Sequence, residues 1–174
     1  MNYNLLKVNL PKVIDIVKEI IDQYPDVKGV IHTHTQSICD QIQFRLGRDK
    51  RLLFRTERQT NDDILEEHFA SSKPTILVSP SLAYGIDLKD ELARFQIVMK
   101  LPFLPLSDKR IKRLFDIDKD WYENRMLNTM VQACGRATRS VDDHSVTYIL
   151  DGCIKDVLFR AKHKLPQHFI NRIH

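Results

Sequence analysis

The chain has 174 residues, of which 43% are hydrophobic and 29% charged, the size and make-up of one globular domain rather than a disordered segment. No run approaches the ~18 apolar residues of a membrane span, and residues 1–7 carry no apolar stretch of the signal-peptide kind. The 27 basic and 23 acidic side chains leave a net charge of +4, a weak lean toward polyanionic partners. The cysteines, Cys39, Cys134 and Cys153, are odd in number and none stands at C-x-x-C spacing, which argues against a disulfide scaffold or zinc ribbon and for a reducing compartment.

In chain order, residues 1–9 read as a loose lead-in. Leu10, Val13, Ile14, Val17, Ile20 and Ile21 then recur at helical spacing over 10–23, with Pro11 where a first helical turn tolerates it. Residues 28–34 predict a strand, 36–46 a helix stopped by Gly47, and 52–54 a second strand. Asn61 or Asp62 caps a helix running to about Ala70, and Thr75 to Val78 forms a third strand. A fourth strand spans 96–100 and a fifth 146–150, separated by a mostly helical stretch over 108–138; a last helix covers 154–162. Short apolar strands alternating with helices predict an open α/β domain, a mostly parallel sheet covered on both faces, with function gathered at the carboxyl ends of the strands. No repeat or linker divides residues 1–174.

None of the glycines, 29, 47, 85, 135 and 152, is followed by lysine, and no G-x-G-x-x-G occurs. Without closely spaced glycines to converge backbone N–H groups on an anion, self-sufficient nucleotide hydrolysis is not expected. The segment Gln132-Ala133-Cys134-Gly135-Arg136-Ala137-Thr138-Arg139 holds two arginines one helical turn apart. Such a pair suits bidentate contact with phosphate oxygens, with Gly135 permitting close backbone approach. Aimed at a γ-phosphate it is worth on the order of 10³–10⁵ in rate. The same arginines also fit a solvated helix C-terminus favoured by the macrodipole. The four fixed positions of Q-x-x-G-R-x-x-R arise by chance on the order of once in a thousand chains of this length.

The loop Ser79-Pro80-Ser81-Leu82-Ala83-Tyr84-Gly85-Ile86-Asp87-Leu88 follows the third strand. Asp87 suits a ribose hydroxyl or an arginine, and Ser79 and Ser81 suit nucleic-acid phosphates; alternatively Asp87 caps the next helix. Thr33-His34-Thr35-Gln36-Ser37 places hydroxyls at a helix N-terminus, either a phosphate site or a simple cap. His32 and His34 would share a strand face, but no acidic or thiol partner lies near them in sequence, so no metal site is expected. The basic run Lys109-Arg110-Ile111-Lys112-Arg113 reads as a solvated face or a nucleic-acid contact, and Trp121 and Tyr122 as packed aromatics. With no G-x-S-x-G and no Cys/His nucleophile pattern, a hydrolase of another kind has little support.

Taken together these segments resemble the second, RecA-like motor domain of XPD/DinG-type superfamily 2 DNA helicases. Residues 29–35 resemble that family's motif IV, 79–88 motif V, 98–105 its lysine-leucine-proline-phenylalanine segment, 132–139 motif VI, 148–151 its closing strand and 165–169 its tail. The resemblance covers about residues 10–170. It implies ATP-driven movement on single-stranded DNA, usually 5′ to 3′. Arg136 and Arg139 would be arginine fingers, and Gln132 would line the cleft between lobes beside Gly135. Gly85 and Asp87 would couple nucleotide state to DNA grip, and Thr33, Thr35 and Ser81 would touch phosphates. ATP and Mg²⁺ would be held mainly by a first motor lobe, the site in that family of the phosphate loop and often of an iron–sulfur cluster; none of these is in this sequence. Here Gly152-Cys153 follow Asp151 where the family often has proline and arginine. The implied setting is cytoplasmic and nucleoid-associated in a prokaryote, or nuclear in a eukaryote, with DNA repair among the open roles. The alternative expectation is a regulatory or nucleic-acid-binding module that has lost catalysis.

Overall fold

The computed structural model describes residues 3–80, 90–135 and 145–170. Five strands, β1 (Gly29–His32), β2 (Leu52–Phe54), β3 (Ile76–Ser79), β4 (Phe95–Val98) and β5 (Val146–Ile149), form one sheet in the order β2-β3-β1-β4-β5. Every neighbouring pair is parallel, with Val30 opposite Leu77 on one side and Gln96 on the other, and Gln96 opposite Thr147. The helices are α1 (Tyr3–Gln23), α2 (Gln36–Leu46), α3 (Asn61–Ala70), α4 (Lys109–Ile117), α5 (Lys119–Cys134), α6 (Cys153–Ala161) and the short α7 (Gln167–Ile170).

Strand order and crossover hand decide the layers. From β1 the chain passes under β3 to the far edge at β2, then moves back across the sheet to β3, β4 and β5. Right-handed crossovers send connections of opposite direction to opposite faces. Accordingly α1 and α2 cover one face: Ile14, Val17, Ile20 and Ile21 with Ile38, Cys39 and Ile42 pack on Ile31, Ile76, Val78, Phe95 and Ile97. The other face takes α3, with Ile64 on Val30 and Leu77. It also carries α5 to α7, whose Met126, Met130, Val157, Ala161 and Phe169 close around Leu101. The alternation of neighbours such as Val30 and Ile31 between the two layers is the period-2 rule of a strand.

Caps explain several boundaries. The Thr35 hydroxyl accepts from the Ile38 amide at the start of α2. Thr60 and Asp63 form a reciprocal capping box on α3. The ammonium of Lys28 donates to the His68 and Phe69 carbonyls at the far end of that helix, at 2.6 and 3.3 Å. Gly29 lies over the Phe95 ring, which stacks on Tyr24 at 4.6 Å between centroids; a Cβ on residue 29 would overlap that ring.

Two expectations need correction. Helix α1 begins at Tyr3, not near Leu10, so residues 3–9 are helical and Pro11 is interior, where it forfeits the bond an amide there would donate to residue 7. Leu6 stands one turn ahead of Leu10, so the apolar spacing itself runs on through the predicted lead-in. The helical stretch over 108–138 is broken at Asp118, which ends α4 and caps α5 by accepting from the Trp121 amide at 2.8 Å.

Candidate functional site

The chain leaves β1 toward one edge of the sheet and β4 toward the other, so a crevice is expected outside the carboxyl ends of this adjacent pair. At the end of β1 the Thr33 amide donates to the Ser79 carbonyl at 2.9 Å. The Thr33 side chain is fully buried, its hydroxyl proton shared between the carbonyls of Thr35 at 3.1 Å and Ser79 at 3.2 Å. Thr33 therefore stitches the ends of β1 and β3 together. His34 follows in the left-handed region at φ 65°, a turn that ends the strand; His32 and His34 do not share a strand face. Thr35 returns to extended backbone and caps α2, whose first residues, Gln36 and Ser37, are exposed.

The neighbouring strand ends close around His34. The Met99 amide donates to the His32 carbonyl at 2.9 Å. His34 is held below the ordinary imidazole pKa first by burial and then by the ammonium of Lys100, partly offset by the Phe103 carbonyl and the charge of Asp151. Asp151, 1% exposed, accepts from the Leu101 amide through Oδ2 and from the Cys153 amide through Oδ1, both at 3.0 Å. One carboxylate thus fixes the segment after β4 and the first turn of α6. Further along that segment, the Tyr122 hydroxyl donates to the Leu104 carbonyl at 2.7 Å and the Tyr122 ring stacks on Phe103.

Gln132 is exposed on the last turn of α5, and Gly135 follows as its cap in right-handed helical geometry. A Cβ on Gly135 would meet nothing within 4 Å among the described residues, so no internal crowding demands glycine there. Cys134 is buried, and that burial pushes its thiol up to about 12. Ser81, Gly85, Asp87, Arg136 and Arg139 lie outside the described residues. The structure brings Thr33, Thr35 and Ser79 to one rim of the sheet, beside His34, Lys100 and Asp151. Sequence reasoning missed the bracing role of Asp151 and the buried pair His32 and Gln96. The available signal was a polar residue inside each of two apolar strands.

Among the described residues, no group of three or more His, Cys, Asp or Glu is placed to hold a metal ion. The Thr35 hydroxyl, Lys100 and the exposed first turn of α2 are of the chemistry that phosphate oxygens accept from, whereas the Thr33 hydroxyl is taken up by backbone carbonyls; among the described residues no cluster of Mg²⁺ ligands stands beside them.

A parallel sheet wound on both faces, with its polar groups at the carboxyl rim and no phosphate loop in the sequence, defines a RecA-like α/β lobe. Residues 31–171 match the protein-family model described as "Helicase C-terminal domain", and the chain belongs to that family. Among solved structures, the Xpd4 protein of S. tokodaii matches with a TM-score of 0.66 at 17% identity, over 96% of this chain and 35% of that one. An apo XPD structure matches with a TM-score of 0.68 at 20% identity, over 88% of this chain and 34% of its own. A structure described as an XPD helicase gives 0.64 at 22% identity, over 89% of this chain and 30% of its own. The chain therefore spans about a third of each of these proteins, and the likeness to them is one of fold. None of the curated proteins compared with the chain matches it.

Proposed function

We propose that this chain is the second motor lobe of an ATP-dependent DNA helicase. It would complete an ATP site whose phosphate loop and Mg²⁺ ligands belong to a first lobe that this sequence does not include. The observation that carries the reading is the family match over residues 31–171, which takes in the Gln132–Arg139 segment leaving the end of α5. Arg136 and Arg139 neutralise charge developing on the transferred phosphoryl group, while Gln132 and Gly135 face the same cleft and Gly85 and Asp87 link it to the DNA side. Single-stranded DNA runs along the rim of the sheet. Its phosphates meet Thr35 and the exposed start of α2, with Ser79 and Ser81 beside them. Thr33, whose hydroxyl is spent on backbone carbonyls, supports these contacts from below.

The test is ATP turnover in this chain assembled with its first motor lobe. Arg139→Ala is expected to remove nearly all DNA-stimulated turnover, a fall on the order of 10³-fold or more, while single-strand affinity survives. Turnover at the unsubstituted rate would refute the finger assignment. Salt-dependent single-strand binding by the chain, with no turnover in any assembly, would favour the regulatory-module alternative.

A further inference from the structure

Strand β4 reads Phe95-Gln96-Ile97-Val98, and all four residues are buried, Gln96 with 1% of its surface exposed. A primary amide in such a place must find partners for two protons and a carbonyl. Gln96 finds them on three other elements. Its Nε2 donates to the Cys134 carbonyl at 2.9 Å and to the Thr147 hydroxyl at 2.8 Å, and its Oε1 faces Nε2 of His32 at 3.3 Å. The carboxamide therefore ties β1, β4 and β5 to the last residue of α5.

That residue matters because of where it stands. The last carbonyls of a helix have no partner within the helix. Here the Gly135 amide turns back to the Val131 and Ala133 carbonyls, and the Cys134 carbonyl is taken by Gln96. The chain then passes through Gly135 into Arg136. An apolar side chain at position 96 would fill the space equally well but take from the Cys134 carbonyl its side-chain donor among the described residues. An asparagine would fall one methylene short of it.

We propose that Gln96 is a positioning residue for the arginine pair. By fixing the height and rotation of the α5 terminus on the sheet, it sets the point from which the chain runs on to Arg136 and Arg139. This rests on the second-lobe reading above. Gln96 touches no reacting atom itself; its effect passes through the Cys134 carbonyl.

The test combines two measurements. In the chain itself, Gln96→Met is expected to speed hydrogen exchange of the Gly135 amide at least tenfold. Thr147→Val, which leaves the Gln96–Cys134 bond in place, is expected not to. In the chain assembled with its first motor lobe, Gln96→Met is expected to lower kcat for DNA-stimulated ATP turnover by tenfold to roughly 10²-fold. KM for ATP should stay within about twofold, and the loss should not add to that of Arg136→Ala, since the two act as a unit. Thr147→Val removes a bond of the same network and should keep kcat, which separates positioning from mere destabilisation. If Gln96→Met fails to fold, Gln96→Asn decides: it is neutral, smaller and still an amide, but one methylene too short to reach the Cys134 carbonyl, and should show the same fall in kcat. An unchanged kcat in whichever variant folds, with Arg139→Ala inactive, overturns the inference and leaves the lobe reading standing. An active Arg139→Ala overturns both.

Discussion

Asp151 offers the sharpest test of how the rim is built. Its two carboxylate oxygens each accept one backbone amide, from Leu101 and Cys153, and the side chain is 1% exposed. Replacement by alanine strands the Leu101 amide in the core, where water cannot replace the carboxylate; a bond of this charge-assisted kind contributes about 1.5–3 kcal/mol. The Cys153 amide opens α6 on a half-buried turn, and losing its cap costs about 0.5–1 kcal/mol more. The expected loss is therefore about 2–4 kcal/mol. A domain of this size has about 5–15 kcal/mol in total, and the loss should lower the thermal midpoint by roughly 5–15 °C. Asparagine is not a safe replacement, because its amide group would point N–H at N–H on one side; about 2–3 kcal/mol should go with it. Urea denaturation followed by circular dichroism reads this directly, as a lower midpoint with unchanged slope. Asp151→Ala and Asp151→Asn both within 0.5 kcal/mol of the unsubstituted chain would show that the carboxylate does not hold these two segments.

Three further outcomes follow from the core and its caps. Gly29→Ala should destabilise by about 1–3 kcal/mol, because the new methyl meets a Phe95 ring already packed against Tyr24; paired with Phe95→Leu, the loss should be less than additive in urea denaturation. His68 is fully buried, with Nε2 donating to the Leu92 carbonyl at 2.8 Å and Nδ1 facing the Thr75 hydroxyl at 2.9 Å, and burial, with a smaller push from Lys28, holds its pKa below 6.5. Since the unfolded chain takes up that proton first, the stability this group confers is complete above about pH 6.5 and is lost as pH falls toward the depressed folded value. Stability measured from pH 7.5 to 5.5 should slope more steeply in the parent than in His68→Gln, by up to about 1.4 kcal/mol per pH unit. Arg51 donates to the Ile21 and Tyr24 carbonyls at the end of α1 while paired with Asp49, so Arg51→Met should cost about 1–3 kcal/mol in the same denaturation assay. Arg51→Lys should not restore it, since one ammonium cannot span both sets of partners.

The elements that sequence could locate are those with local causes. Each of the five strands is a short apolar run, and each falls within about two residues of its expected bounds. Helix α2 matches at both ends because Thr35 and Gly47 act through neighbours three or four residues away, and α3 ends at Ala70 as expected, but its cap is Thr60 rather than Asn61 or Asp62, because the Thr60 hydroxyl and the Asp63 carboxylate close a capping box. Asp118 was legible on the same grounds, as an aspartate three residues ahead of Trp121, but the apolar spacing on both sides concealed it. The order β2-β3-β1-β4-β5 was not legible, because nothing in β1 alone says which strands will flank it. The site divides in the same way. Thr35 was readable as a cap or a phosphate contact from its place before a helix. The burial of Thr33 depends on Ser79, and the function of Gln96 on Cys134 and Thr147, partners that only the fold brings near.

The rim is also stiffer than a set of loops would be, and this bears on how such a lobe could act. Backbone pairing continues past the strand ends, from Thr33 to Ser79, from Met99 to His32 and from Leu150 to Val98, each at 2.9 Å. Asp151 then extends it to Leu101, and Tyr122 to Leu104. Loops that line a site usually move because few buried contacts hold them; here the described part of the rim shares its bonds with the sheet. If the lobe works against a partner as proposed, the movement expected is of the whole domain as one body about its boundary with the first lobe, rather than of this rim against its own core. The distance between probes on Thr35 and Lys100 should then stay constant through the nucleotide cycle, while the distance from either to the first lobe changes. A rim distance that varied with nucleotide would mean that these strand-end bonds open during the cycle, and the rigid-lobe account would be wrong.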